Sequence, residues 1–218
     1  MLEKSKVREF YDGFGKKQDS QAFYEDPVVD EMVRHADFGG AEAVVEFGCG
    51  TGRFAERLLS NHLPDNAHYW GCDISTTMVS LAQDRVRAFG PRAEVVRTDG
   101  GPRLPLADGC ADRFVSNFVL DILPDREIDQ IVGEARRVLK VGGLIGLVSL
   151  TEAIGPLSGM VMAVWKGLYA LRPSLVGGCW PIDIGGRFGS PDWEIVHQHK
   201  MTSFGIPSEA IVARKRSD

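Results

Sequence analysis

Val44-Val45-Glu46-Phe47-Gly48-Cys49-Gly50-Thr51-Gly52 joins an apolar run to a glycine-rich turn. The apolar part reads as a buried strand, and the glycines let the backbone turn sharply and bring its amides against a ligand. A helix beginning near Arg53 would aim its N-terminus at that ligand. A dinucleotide fingerprint requires Gly-x-Gly-x-x-Gly, whereas here the third place is Arg53 and the extra glycine comes one residue early, at Gly52. Glu46 stands just ahead of the first glycine, where a carboxylate repels a pyrophosphate but attracts a cation. The stretch therefore predicts a nucleotide-type site whose ligand carries positive charge.

Around this stretch, strand-like and helix-like runs alternate, the pattern of a parallel sheet covered on both faces. Strands are expected at 43–47, 68–73, 94–98, 113–117 and 144–150. Met78, Leu81, Ala82, Arg85, Val86 and Phe89 recur at helical spacing behind Ser75, a good N-cap. Ile128, Ile131, Val132, Ala135, Val138 and Leu139 do the same after Pro124-Asp125, with Gly142-Gly143 expected as the left-handed stop. Two later strand-like runs, 193–202 and 210–214, flank Phe204-Gly205-Ile206-Pro207 and predict an antiparallel hairpin.

The order acid-x-Gly-x-Gly-x-Gly after a hydrophobic strand resembles motif I of the class I S-adenosylmethionine-dependent methyltransferases. Further stretches similar to that family follow: Tyr69-Trp70-Gly71-Cys72-Asp73, Val95-Val96-Arg97-Thr98-Asp99-Gly100, 113–120, and Arg137-Val138-Leu139-Lys140-Val141-Gly142-Gly143. The resemblance implies a Rossmann-like, doubly wound α/β fold, with a mostly parallel seven-stranded sheet ending in the antiparallel hairpin. It also implies S-adenosylmethionine as cofactor. Glu46 would face its ammonium group, with Gly48, Cys49, Gly50 and Gly52 forming the loop beneath it. Asp73 would take both ribose hydroxyls, Ile74 and Met78 would lie on the adenine, and Asp99 beside Gly100 would accept from the adenine amino group. Asn117 would close the site at the end of the fourth strand. The start, Tyr11-Asp12-x-x-x-Lys16-Lys17, resembles the N-terminal segment of the ubiquinone and menaquinone C-methyltransferases, with Gln18 where an aromatic is usual. Tyr11 would donate to the methionine carboxylate, although Phe10, Tyr11 and Phe14 would equally serve to dock a helix.

Composition sets the remaining bounds. The chain has 218 residues, 44% of them hydrophobic, enough for one α/β domain. Its parts are expected to be an N-terminal lid segment (1–40), a cofactor-binding core (41–150), a substrate cap (151–190) and the hairpin (191–218). Net charge is -5, with no long basic block, which disfavours nucleic acid as partner. No apolar signal core follows Met1, so a cytoplasmic address is expected. The 4 cysteines form no Cys-x-x-Cys pair and are read as reduced thiols. The uncharged run 153–165 is too short and interrupted to span a membrane, though it allows peripheral contact with one.

The expected reaction is methyl transfer to a small apolar or aromatic acceptor such as a quinol, phenol, lipid or natural product. A general base is needed only if the nucleophile starts protonated, and Asp121 and Tyr169 are the candidates named for it. Ser116-Asn117-Phe118-Val119 lacks the paired prolines by which amino-methylating relatives grip a planar amine. No metal ligand set is expected, because Asp121, Asp125 and Asn117 lie close to a turn where solvated capping is the simpler role. As bases His197 and His199 are set aside, since they alternate with Val196, Gln198 and Lys200 as on a half-exposed strand, and His35 ends an amphipathic helix. A catalytically silent cofactor-binding protein and an NAD-dependent oxidoreductase stay open as alternatives. The sequence is silent on oligomeric state.

Overall fold

The computed structural model describes residues 3–189 and 191–217. Strand β1 (Ala43–Phe47) carries Val44, Val45, Glu46 and Phe47 into the interior, as expected of a central strand covered on both faces. It pairs in parallel with β2 (His68–Asp73) on one side and β4 (Ala111–Asn117) on the other. With β3 (Ala93–Arg97), β5 (Leu139–Leu150), β6 (Trp193–Ser203) and β7 (Ile206–Lys215), they form one seven-stranded sheet in the order β3-β2-β1-β4-β5-β7-β6. β7 runs antiparallel to β5 and β6 antiparallel to β7, which is the expected C-terminal hairpin. The chain winds outward from β1 to β3 and then returns to the other side of β1. The crevice between the carboxyl ends of β1 and β4 is therefore the topological switch point, where open α/β sheets bind ligands.

Helices cover both faces. Val28, Val29 and Met32 of α2 (Ala22–His35), Ala55, Leu58 and Leu59 of α3 (Arg53–Asn61), and Val79 and Ala82 of α4 (Thr76–Val86) pack on one face. Ile128, Ile131, Ala135 and Val138 of α5 (Asp125–Val138) cover the other, joined by Ile182, Ile184, Phe188 and Trp193. Ser75 caps α4 as its spacing predicts, its Oγ accepting from Met78 N at 3.1 Å. Helix α1 (Lys4–Phe14) and the short turns of 15–21 lie across the carboxyl edge of the sheet. There Asp12 accepts from Ser75 Oγ at 2.5 Å, and Asp19 accepts from Thr51 Oγ1 at 2.6 Å and pairs with Arg85.

Two expectations are corrected. Gly142-Gly143 does not stop α5: the helix ends at Val138 and β5 starts at once, at Leu139. Gly142 (φ 80) instead lies in an irregularity where the register passes from Ala111↔Leu139 to Arg113↔Leu144. The second concerns the cap. Helix α6 (Pro156–Leu171) buries only Ser158 and Met162, while Leu157, Met160, Val164, Leu168 and Leu171 are exposed. It stands on the C-terminal hairpin, beside the β6–β7 turn, rather than over the switch point. Among the described residues, no helix is long and apolar enough to cross a membrane.

Candidate functional site

A cavity of about 390 Å³ opens at the switch point. Gly48 and Gly50 from the turn after β1, Asp73 and Ile74 from the end of β2, and Thr98 and Gly100 after β3 form its floor. Phe118, Val119, Ile122 and Leu123, in the segment between β4 and α5, make an apolar wall, and Val7 and Tyr11 of α1 close it from above. Asp73 accepts from Gly50 N at 3.0 Å with one oxygen and from Ser75 N at 2.8 Å with the other. A carboxylate has about four lone-pair sites, so it retains acceptor capacity toward the cavity. Burial raises its pKa against these donated bonds. Gly50 (φ 53) is a position that L side chains rarely adopt, and a Cβ there would stand 3.2 Å from the Gln18 side-chain amide.

Gly48, Gly50 and Gln18 also line a second, smaller cavity of about 60 Å³, so the two share a wall. Its character is different: Glu46, Asn117, Arg53, Arg57, Glu25 and Asp26 surround it. The Tyr69 hydroxyl donates to Glu46 Oε2 at 2.5 Å. Burial, reinforced by the charge of Asp73, pushes the Glu46 carboxyl up to about 8 despite that bond. Burial pushes Glu25 up to about 7, against the pull of Arg53, whose guanidinium reaches Asp26 at 2.6 Å. Several polar atoms here have no partner among the described residues: both ends of the Asn117 amide, Nε and Nη2 of Arg57, and Oε1 of Gln18. Such orphans are costly in an interior. An amino-acid group would satisfy them in kind, its carboxylate facing the Arg57 donors and its ammonium facing Glu46 and the Asn117 oxygen. The residues present therefore fit S-adenosylmethionine: acceptors for an adenosine in the larger cavity, and both signs of partner for its amino-acid end in the smaller.

Other expected residues lie elsewhere. Asp99 is exposed and accepts from Gly101 N at 2.7 Å, so it braces its own turn while Thr98 and Gly100 face the cavity. Met78 is fully buried beneath α4 and lines neither cavity. Gly52 has a packing role: a Cβ would meet Ala82 Cα at 2.7 Å, so the glycine lets α3 and α4 approach closely. Cys49 lines the smaller cavity, and burial raises its thiol well above the usual range. Asp121 is fully buried behind the apolar wall, with Oδ2 accepting from Leu150 N at 3.2 Å, Oδ1 unpartnered, and its pKa pushed up by burial to about 7. Tyr169 packs on Trp180, its ring centroid at 4.8 Å, and lines neither cavity. The Tyr11 hydroxyl lies beside Cys179 and Gly177, in the loop that follows α6. That loop, rather than α6 itself, is the part of 151–190 that approaches the site. Arg57, which lines the smaller cavity, was not singled out in the sequence, where its one available signal is its helical i+4 spacing from Arg53.

Residues 44–143 match the family described as a methyltransferase domain. Over 166 residues the chain is 31% identical to the malonyl-[acyl-carrier protein] O-methyltransferase of Methylovorus sp., covering 72% of this chain and 52% of that one. Over 143 residues it is 28% identical to the demethylmenaquinone methyltransferase of Lactobacillus johnsonii, covering 65% and 54%. Over 118 residues it is 28% identical to the tRNA N(3)-cytidine methyltransferase METTL2 of Gallus gallus, covering 51% and 32%. The chain thus spans about half, or less, of the length of these curated relatives. In fold it is similar to a chain of the complex between the Haloferax volcanii Trm112 methyltransferase activator and a methyltransferase, with a TM-score of 0.70 at 14% identity, covering 97% of this chain and 98% of that one. The glycine turn, the two adjoining cavities and the domain match over residues 44–143 agree in their resemblance to the S-adenosylmethionine-dependent methyltransferases.

Proposed function

We propose that this protein transfers the methyl group of S-adenosylmethionine to a small apolar or aromatic acceptor. The observation that carries the reading is the change of character across the shared wall of Gly48 and Gly50: charged and unsatisfied on one side, apolar along Val7, Phe118, Val119, Ile122 and Leu123 on the other. When bound, the cofactor supplies an electrophilic sulfonium methyl group. The chain's own part is chiefly positioning, since fixing two reactants in an attack geometry removes a large entropic barrier. Glu46, Asn117 and Arg57 hold the amino-acid end. Asp73 holds the ribose, and Ile74 and Gly100 border the adenine. Tyr11 lines the cavity within the electrostatic reach of Asp121. Asp121, buried behind the apolar wall, touches neither cavity and is given no proton-transfer role. Tyr169 likewise stands away from both cavities and is given none.

At the cavity mouth, Lys4 of α1 pairs with Glu127 of α5 at 3.1 Å, so the rim offers no surplus of positive charge. That supports a small molecule over the nucleic acid substrate of the tRNA-modifying relative. The test is a transfer assay with methyl-labelled cofactor and separate quinol, phenol, 3-oxoacyl thioester, amine and tRNA acceptors. Label in a quinol, phenol or thioester product supports the reading. Label in tRNA alone, or cofactor binding with no transfer to any acceptor, overturns it.

A further inference from the structure

Away from the switch point, Glu31, His35 and His197 converge where α2 crosses the edge strand β6. Glu31 and His35 are four residues apart and so share one face of the helix. β6 has a register irregularity between Ile195 and His197, and His197 faces the helix at Glu31. Glu31 divides its two oxygens: Oε2 pairs with Arg34, while Oε1 lies 2.9 Å from His197 Nε2 and 3.5 Å from His35 Nε2. The two imidazoles stack with centroids 3.6 Å apart. One ligand atom from each residue falls within 4.8 Å of every other. Ligand atoms held about 2.0–2.1 Å from a tetrahedral ion stand roughly 3.3 Å apart; the two Glu31–imidazole distances are near that spacing, and one stacked ring must turn about its side-chain torsions for both in-plane lone pairs to converge on one ion. Two imidazoles and one carboxylate are a donor set that suits zinc, with one position left for water. His199, its ring 6.3 Å from that of His197, stands beside the group. His35 and His197 are partly exposed, which leaves an entry path from solvent.

We propose that Glu31, His35 and His197 form a binding site for a divalent ion of the zinc type, which ties α2 to β6. The sequence reading gave these histidines no such role, because helix and strand meet only in the fold. The same helix presents Glu25 and Asp26 to the small polar cavity, so an ion at its other end braces that wall.

Calorimetric titration of the full chain with zinc chloride in a non-chelating buffer tests the site. A single equivalent is expected to bind, with affinity falling by more than about a hundredfold in the double variant H35A/H197A and by more than about tenfold in Glu31→Gln. Far-UV circular dichroism confirms that the variants fold. As a second readout, Co2+ added to the wild type should give the intense visible bands of a four-coordinate ion, and these should vanish in H35A/H197A. No binding by the wild type below about 1 mM zinc, or equal affinity in the wild type and the double variant, overturns the proposal and leaves a plain carboxylate–imidazole cluster.

Discussion

The two cavities that meet at Gly48 and Gly50 are built on opposite principles. The smaller is crowded with charge and holds unpartnered atoms of Gln18, Arg57 and Asn117, so it is shaped for a ligand with both an ammonium and a carboxylate. The larger is walled by Phe118, Val119, Ile122 and Leu123 and has a carboxylate, Asp73, at its floor. A polar pocket with unsatisfied donors discriminates sharply, because a ligand lacking the matching group leaves them unpaired. An apolar wall discriminates weakly, by shape and size. The pair therefore implies strict recognition of the amino-acid end of the cofactor and looser, shape-based recognition beside the apolar wall.

Breaking the shared wall should have the largest effect on cofactor binding. Gly50→Val places a β-branched side chain at φ 53, against the Gln18 amide at 3.2 Å. Cofactor affinity measured by calorimetry is expected to fall by more than about a thousandfold, roughly 4 kcal/mol. Next comes the pH response of the polar side. The folded pKa of Glu46 is raised from 4.5 to about 8. A raised acid contributes stability that is fully present below its unfolded pKa and is lost as pH rises through the folded value. Relative to Glu46→Gln, the wild type should therefore lose up to about 5 kcal/mol of stability between pH of about 4.5 and 8 in denaturant titrations. A wild type that gains on the variant over that window would contradict the burial account. On the larger cavity's side, Asp73→Ala should weaken S-adenosylhomocysteine binding by about 1.5–3 kcal/mol, the range for hydrogen bonds to a charged group. Unchanged binding by a folded variant removes the ribose role from Asp73.

The same contrast separates what was legible in the sequence from what was not. The glycine turn, the Ser75 cap, the parallel strands and the hairpin rest on local determinants: apolar periodicity, a side chain bonding three residues on, and backbone freedom at glycine. Asp73 was legible because it ends a strand adjacent to the turn it supports. The Asp99 carboxylate bonds within its own turn, a competition that its spacing in the chain does not reveal. The apolar run 153–165 read as a cap, yet α6 stands by the hairpin, since hydrophobicity says that a segment packs or docks without saying where. Arg57 and the Glu31, His35 and His197 cluster depend on helices crossing strands far away in the chain, and no window of residues contains both partners.

The central claim is that the two cavities hold the two ends of one cofactor, and Arg57 tests it most directly. Its Nε and Nη2 atoms are buried donors without partners, assigned here to the methionine carboxylate. S-adenosylhomocysteine carries that carboxylate, while 5′-methylthioadenosine keeps the adenosine and lacks it. Calorimetry on Arg57→Met should show about a tenfold loss, near 1.4 kcal/mol, for the first ligand and none for the second. Equal losses for both, or no loss for either, would contradict the division of the site.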